Sequence, residues 1–141
     1  MRVAVVGHVE WIEFARVERL PEAGDIVQAG PVWQEVGGGG GVSAIQLATL
    51  AGSATMYTAL GDDDYGRRAK GELGDRGVSV MTAWRNEPQR RAFTFVDAAG
   101  ERTITLLGPK LTPRGSDALP WHELDGVDAV YFTARDAGAL R

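Results

Sequence analysis

The sequence predicts an α/β protein with a parallel core sheet and a small antiparallel β lid inserted between the core strands. Three observations carry this. Short β-branched runs alternate with stretches of helical periodicity. Five consecutive glycines, Gly37 to Gly41, stand where a strand gives way to a helix. A second set of strand-like segments, partly polar and hairpin-like, interrupts the alternation.

In chain order, Arg2–Val6 is a short run rich in β-branched residues, as expected of a strand buried on both faces. Residues 11–17 mix apolar and charged side chains and read as a half-exposed strand. The turn residues Leu20-Pro21-Glu22-Ala23-Gly24-Asp25 follow, and short strands are expected at 26–29 and 32–36. Ser43 is placed as the cap of a helix whose apolar stripe is Ala44, Leu47, Ala48 and Ala51. A strand at 54–60 leads through Gly61-Asp62-Asp63-Asp64 into a second helix, with Tyr65, Ala69 and Leu73 on one face. Gly74 and Gly77 mark its end. After a short strand at 78–81, residues 92–96 and 102–107 flank a Gly-containing loop and form a hairpin. A last core strand is expected at 129–133, and Asp136–Arg141 as a first helical turn. The whole of 1–141 is read as part of one domain, with lid strands near 11–17, 26–36, 92–96 and 102–107.

Bulk properties narrow the function. The chain has 141 residues, 44% hydrophobic and 24% charged, which is ordinary for a soluble domain. A net charge of −4 argues against a nucleic-acid partner. No apolar run approaches the roughly 18 residues a membrane span needs, and the first strand is too short for a secretory signal. Without cysteine there is no disulfide, thiolate metal site or cysteine nucleophile. A cytoplasmic location is the expectation.

Two readings fit the glycine run: a flexible linker, or a turn that brings backbone N–H groups against a ligand at a helix amino terminus. Nothing on either side looks like a complete domain, which favours the second. The run lacks the Gly-Lys-Ser/Thr of a nucleotide P-loop. It also fails the dinucleotide fingerprint, since Val42 or Ser43 stands where the last glycine is needed. A dinucleotide oxidoreductase is thereby disfavoured, and a hydroxyl-rich or anionic ligand suits the run.

The ordered set of a strand ending in Gly7, Leu20-Pro21-x-x-Gly24, Gly37-Gly38 opening a helix, Gly61-Asp62-Asp63-x-x-Gly66 and the hairpin Phe93 to Thr103 resembles the ribokinase-like (PfkB) carbohydrate kinases. It resembles their amino-terminal half. The resemblance implies a Rossmann-like core and transfer of the γ-phosphoryl group of ATP to a hydroxymethyl group of a sugar or nucleoside, with Mg2+. It implies a substrate held between core sheet and lid, and a general base in a later Gly-x-Gly-Asp segment. No such segment occurs in this sequence, so no catalytic residue is assigned and the 141 residues alone are expected to be inactive. Ile12 stands where the family usually carries a sugar-binding aspartate, and Val42 where it carries an asparagine. The alternative is therefore a non-catalytic sugar-binding or dimerising remnant.

The substrate candidates are Gly37, Gly38 and Gly39 through their N–H groups, with Glu10, Ser43 and Asp136. Glu10 is read either as an acceptor for two sugar hydroxyls or as a solvated lid carboxylate, and Glu13 falls on the opposite strand face. Asp136 is a substrate contact or a helix cap. Asp62 and Asp63 invite a catalytic role, but capping of the following helix by Asp63 or Asp64 is preferred. Trp11, Phe14, Phe93 and Phe95 are expected to form the apolar underside of the lid. His8 and Glu10 lack a third ligand nearby, so no metal site is assigned. An apolar sheet edge left after residue 133, or lid hairpins pairing between subunits, predicts a homo-oligomer.

Overall fold

Four segments in which valine, alanine and other apolar residues predominate lie side by side in the computed structural model, which describes residues 1–136 and 138. These are β1 (Val3–Val6), β4 (Ala54–Gly61), β5 (Val78–Arg85) and β8 (Ala129–Phe132). They form a wholly parallel sheet in the order β5-β4-β1-β8. Successive parallel strands require long crossovers, and two of these are helices, α1 (Gly38–Ala51) and α2 (Asp64–Asp75).

The helices pack on one face of the sheet through their small and apolar stripes. Ala44 and Ala48 of α1 and Ala69 and Leu73 of α2 are buried against Val3, Val5, Met56 and Leu60. Burying each of the larger side chains contributes about 1.5–3 kcal/mol. On the other face, Tyr57 stacks on Trp121 at 5.3 Å. Trp121 belongs to a 3-10 turn (Trp121–Gly126) that covers this side together with Leu119, Leu124 and Val127.

The second sheet contains β2 (Glu10–Arg16), β3 (Val32–Gly37), β6 (Arg91–Val96) and β7 (Arg102–Leu107), ordered β3-β2-β6-β7. It is mixed, not wholly antiparallel as the hairpin signals suggested. β2–β3 and β6–β7 are antiparallel, but the central pair β2–β6 is parallel. The reason is connectivity: β6 is reached only after α1, β4, α2 and β5, and arrives in the same direction as β2.

Three boundaries differ most from the sequence expectation; β5 runs on to Arg85, four residues past the strand expected at 78–81. No strand forms at 26–29. Ile26 is fully exposed, and the segment lies between Gly24 and Gly30-Pro31, where no neighbouring strand offers a ladder. Bonding to β2 resumes where Gly30 N donates to the Arg16 carbonyl at 2.8 Å and Arg16 N donates to the Pro31 carbonyl at 3.0 Å. Helix α1 starts at Gly38 and not after Ser43, so four glycines occupy its first turn. Ser43 is inside the helix, and its hydroxyl donates to the Gly39 carbonyl at 2.7 Å.

Candidate functional site

The glycine run is tightly used. After β3, Gly38 has φ of +80°, a conformation that disfavours any side chain, and a Cβ there would stand 2.9 Å from the Glu10 nitrogen. A Cβ on Gly40 would stand 2.7 Å from the His8 carbonyl oxygen. This closeness lets the His8 carbonyl accept from both Gly40 N (3.1 Å) and Gly41 N (3.2 Å), satisfying two of the N–H groups that a helix start leaves unpaired. Helix α1 has no side-chain cap and no acidic residue in its first turn. Gly37 is buried in the β2–β3 ladder opposite Glu10, whereas Gly39 is exposed.

At this corner β1 ends, α1 begins and the lid departs. His8 and Thr133 flank the helix start: a methyl placed on Gly39 would lie 3.5 Å from His8 Cε1 and 3.7 Å from Thr133 Oγ1. The Glu10 carboxylate accepts from Arg90 Nε at 2.8 Å and lies 3.5 Å from His8 Nε2. All three side chains are only 11–15% exposed. The His8 edge holds the Glu10 carboxyl below the ordinary carboxylate range; burial pushes the other way, and the Arg90 guanidinium adds to the lowering. Glu10 is therefore ionised at neutral pH.

Arg90 was not singled out from the sequence, nor was Gln89. Gln89 is 2% exposed. Its side-chain oxygen accepts from Gly61 N at 3.0 Å, and its side-chain nitrogen donates to the carbonyls of Val9 at 2.9 Å and Arg90 at 3.2 Å. Asp63 caps α2 by accepting from Gly66 N at 2.9 Å, and its second oxygen accepts from Gln89 N at 2.8 Å. The Gly61–Gly66 segment thus fastens the core to the root of the lid. Asp63 has the capping role expected of it. The only sequence signal for the rest is a polar run, Pro88-Gln89-Arg90-Arg91, directly before a hairpin strand.

The four lid aromatics do not share a face. Trp11 pairs with Arg91, Glu13 with Phe93 and Ala15 with Phe95, so Trp11, Phe93 and Phe95 point one way. Phe14 pairs with Thr94 on the other side and stacks on Trp33 at 4.9 Å. The three-residue spacing from Trp11 to Phe14 reverses the face in a strand. Trp11 is buried with Val36 and Leu73, and Arg91 lies over the Tyr65 ring at 4.6 Å. That face rests on α2. The opposite face carries Glu10, Ile12 and Phe14.

Asp136 uses both oxygens on backbone: it accepts from Gly115 N at 2.8 Å and Gly138 N at 2.9 Å, and these bonds hold its carboxyl below the usual range. The helical turn expected over 136–141 falls largely outside the described residues. Among the described residues, no three His, Cys, Asp or Glu side chains cluster as metal ligands. With no P-loop lysine in the sequence either, ATP and Mg2+ are assigned to no residue of this chain.

A parallel α/β core whose strand ends meet a helix start beside a small mixed sheet defines the class as an open α/β fold, in which the carboxyl ends of the strands form a crevice. The pfkB family carbohydrate kinases match over residues 1–138, and the chain belongs to that family. It is similar to an ATP-dependent ribose-1-phosphate kinase of Halopiger xanaduensis, 32% identical over 137 residues, covering 96% of this chain and 46% of the relative. Among solved structures it resembles the Arabidopsis thaliana ribokinase complexed with ribose and ATP. That match is 28% identical with a TM-score of 0.60, covering 75% of this chain and 36% of that one. The ribokinase of Thermotoga maritima shares the fold at TM-score 0.73 and 22% identity, covering 91% and 43%. The chain spans less than half the length of the curated relatives it matches. No helix among the described residues is long and apolar enough to cross a membrane.

Proposed function

We propose that this chain is the sugar-holding and lid-bearing part of an ATP-dependent kinase that phosphorylates a hydroxymethyl group of a sugar or nucleoside. The observation that carries the reading is the corner where an ionised Glu10 meets the glycine start of α1 at the carboxyl edge of the core sheet. In this reading Glu10 accepts from sugar hydroxyls, and the N–H groups of Gly38 and Gly39 donate to sugar oxygens. Gly37 keeps the lid strand close. Ser43 contributes only its hydroxyl lone pairs. Asp136 shapes the neighbouring loop through its two backbone bonds. The face bearing Ile12 and Phe14 shields the ligand from water. In this reading none of the residues named is assigned to the nucleotide or to the general base, whose positioning and charge dominate phosphoryl transfer. A cytoplasmic setting fits the absence of cysteine.

Calorimetry against a panel of pentoses, hexoses and nucleosides tests the reading. Saturable binding of at least one neutral polyol is expected, and its loss in Gly38→Val. A panel that yields no binder would overturn it. The departures at Ile12 and Val42 favour a second reading, a non-catalytic sugar-binding or dimerising form of the fold. That reading is supported if binding is seen and the complete gene product transfers no phosphate from ATP.

A further inference from the structure

The geometry points to His8 and Arg90 as positioning residues that hold Glu10 as the acceptor for a pair of neutral sugar hydroxyls, in the role that the aspartate missing at Ile12 would otherwise fill. This rests on the sugar-binding reading above.

Glu10 and Ile12 are two residues apart on β2 and share a face. A carboxylate on a longer side chain two positions earlier therefore projects from the same side of the strand. Left alone, a glutamate has three rotatable bonds, and ordering it costs entropy. Here two groups from different parts of the chain restrain it. His8 approaches from the end of β1, and Arg90 from the segment entering β6, 80 residues away in sequence. Arg90 is fixed in turn, since its carbonyl accepts from Trp11 N at 3.0 Å and from the Gln89 side chain.

The tautomer of His8 follows from burial. Its Nδ1 is buried without a partner, and a bare lone pair is cheaper to bury there than an N–H, so the proton sits on Nε2 and faces Glu10. Charge also selects the ligand. The Arg90 charge is balanced by Glu10, and the carboxylate repels a phosphate placed against it. It accepts hydroxyl protons instead. Of the other carboxylates on β2 and β3, Glu13 lies on the opposite face bonded to Gln34, and Glu35 is paired with Arg76. His8 and Arg90 are the charged or titratable groups acting on Glu10.

The test uses the best-binding neutral sugar of the panel, with affinity measured from about pH 7 down to about pH 4, across the ordinary glutamate range. Wild-type affinity stays flat across this window. Glu10→Gln lowers affinity roughly tenfold or more and is also flat. Arg90→Gln and His8→Gln weaken binding, and their affinity falls as pH drops, because the carboxyl titrates nearer its ordinary value. Arg90→Lys restores most of the flat profile. Glu13→Gln binds like wild type, and circular dichroism reports folding of each variant. Wild-type affinity in Glu10→Gln, or a flat profile in a folded Arg90→Gln, overturns the proposal while leaving sugar binding intact. Absence of sugar binding in the wild-type chain overturns the underlying reading as well.

Discussion

Asp63 shows how much one short side chain carries. It satisfies the Gly66 N–H at the start of α2 with one oxygen and the Gln89 N–H with the other. Replacing it with alanine removes the cap, which costs about 1–2 kcal/mol, and also leaves the Gln89 nitrogen unpaired. We expect Asp63→Ala to lower the urea midpoint, with Asp64→Ala, whose side chain is 92% exposed, close to unchanged. Equal midpoints for the two would show that the cap is not a stability element. The capping role was legible in the sequence because aspartate before a helix follows a local rule. The partnership with Gln89 was not, because it joins residues 26 apart and depends on where the lid meets the core. Arg90 escaped notice for the same reason. Its partner Glu10 becomes adjacent only when β2 and β6 align.

At the scale of elements, a bidentate pair ties the end of β5 to the loop that covers the sheet. Arg85 donates to both oxygens of Asp117 at 2.7 Å and to the Thr112 carbonyl, with side chains 14% and 11% exposed. Burial raises the Asp117 carboxyl, but the Arg85 hydrogen bonds, the Arg114 N–H and the nearby positive charges outweigh it, so the net shift is downward. A depressed carboxyl contributes stability that is complete above its unfolded value, about 3.9, and is lost as pH falls through the folded value. Asp117→Asn is therefore expected to lower stability at pH 7 by about 1–2 kcal/mol, read from urea unfolding, and to flatten the acid limb of the stability profile. An unchanged acid limb would assign acid unfolding to other carboxylates. The core strands and the stripes of α1 and α2 were readable because burial on one or both faces imposes a period. The lid was readable only in part. A hairpin signal found the β6–β7 pair, but local sequence holds no mark of a parallel join, and the apolar Ile26 suggested a strand that no neighbour supports.

For the molecule as a whole, the two sheets have outer strands with open edges. All of β7 is exposed, with Ile104 and Leu106 about half so, and Val130 and Tyr131 of β8 are 39% and 50% exposed. Open edges carrying apolar side chains promote association. We expect the chain to self-associate at micromolar concentration in sedimentation. If β7 is the contact, Ile104→Glu with Leu106→Glu shifts it toward the monomer; if β8 is, Tyr131→Glu does. A monomer in the unmodified chain would remove association from the account.

The parallel join at the centre of the lid also dictates an order of assembly. Glu10 and Arg90 are brought together across 80 residues of intervening chain, and nearly all of that chain is the body on which the lid rests. A nascent polypeptide carrying only the first hairpin lacks the partner that Glu10 finds in Arg90. Contacts this remote in sequence form late and slow folding, so the Glu10–Arg90 pair closes only after β6 has been made, and the β1–β8 pairing, more remote still, comes after it.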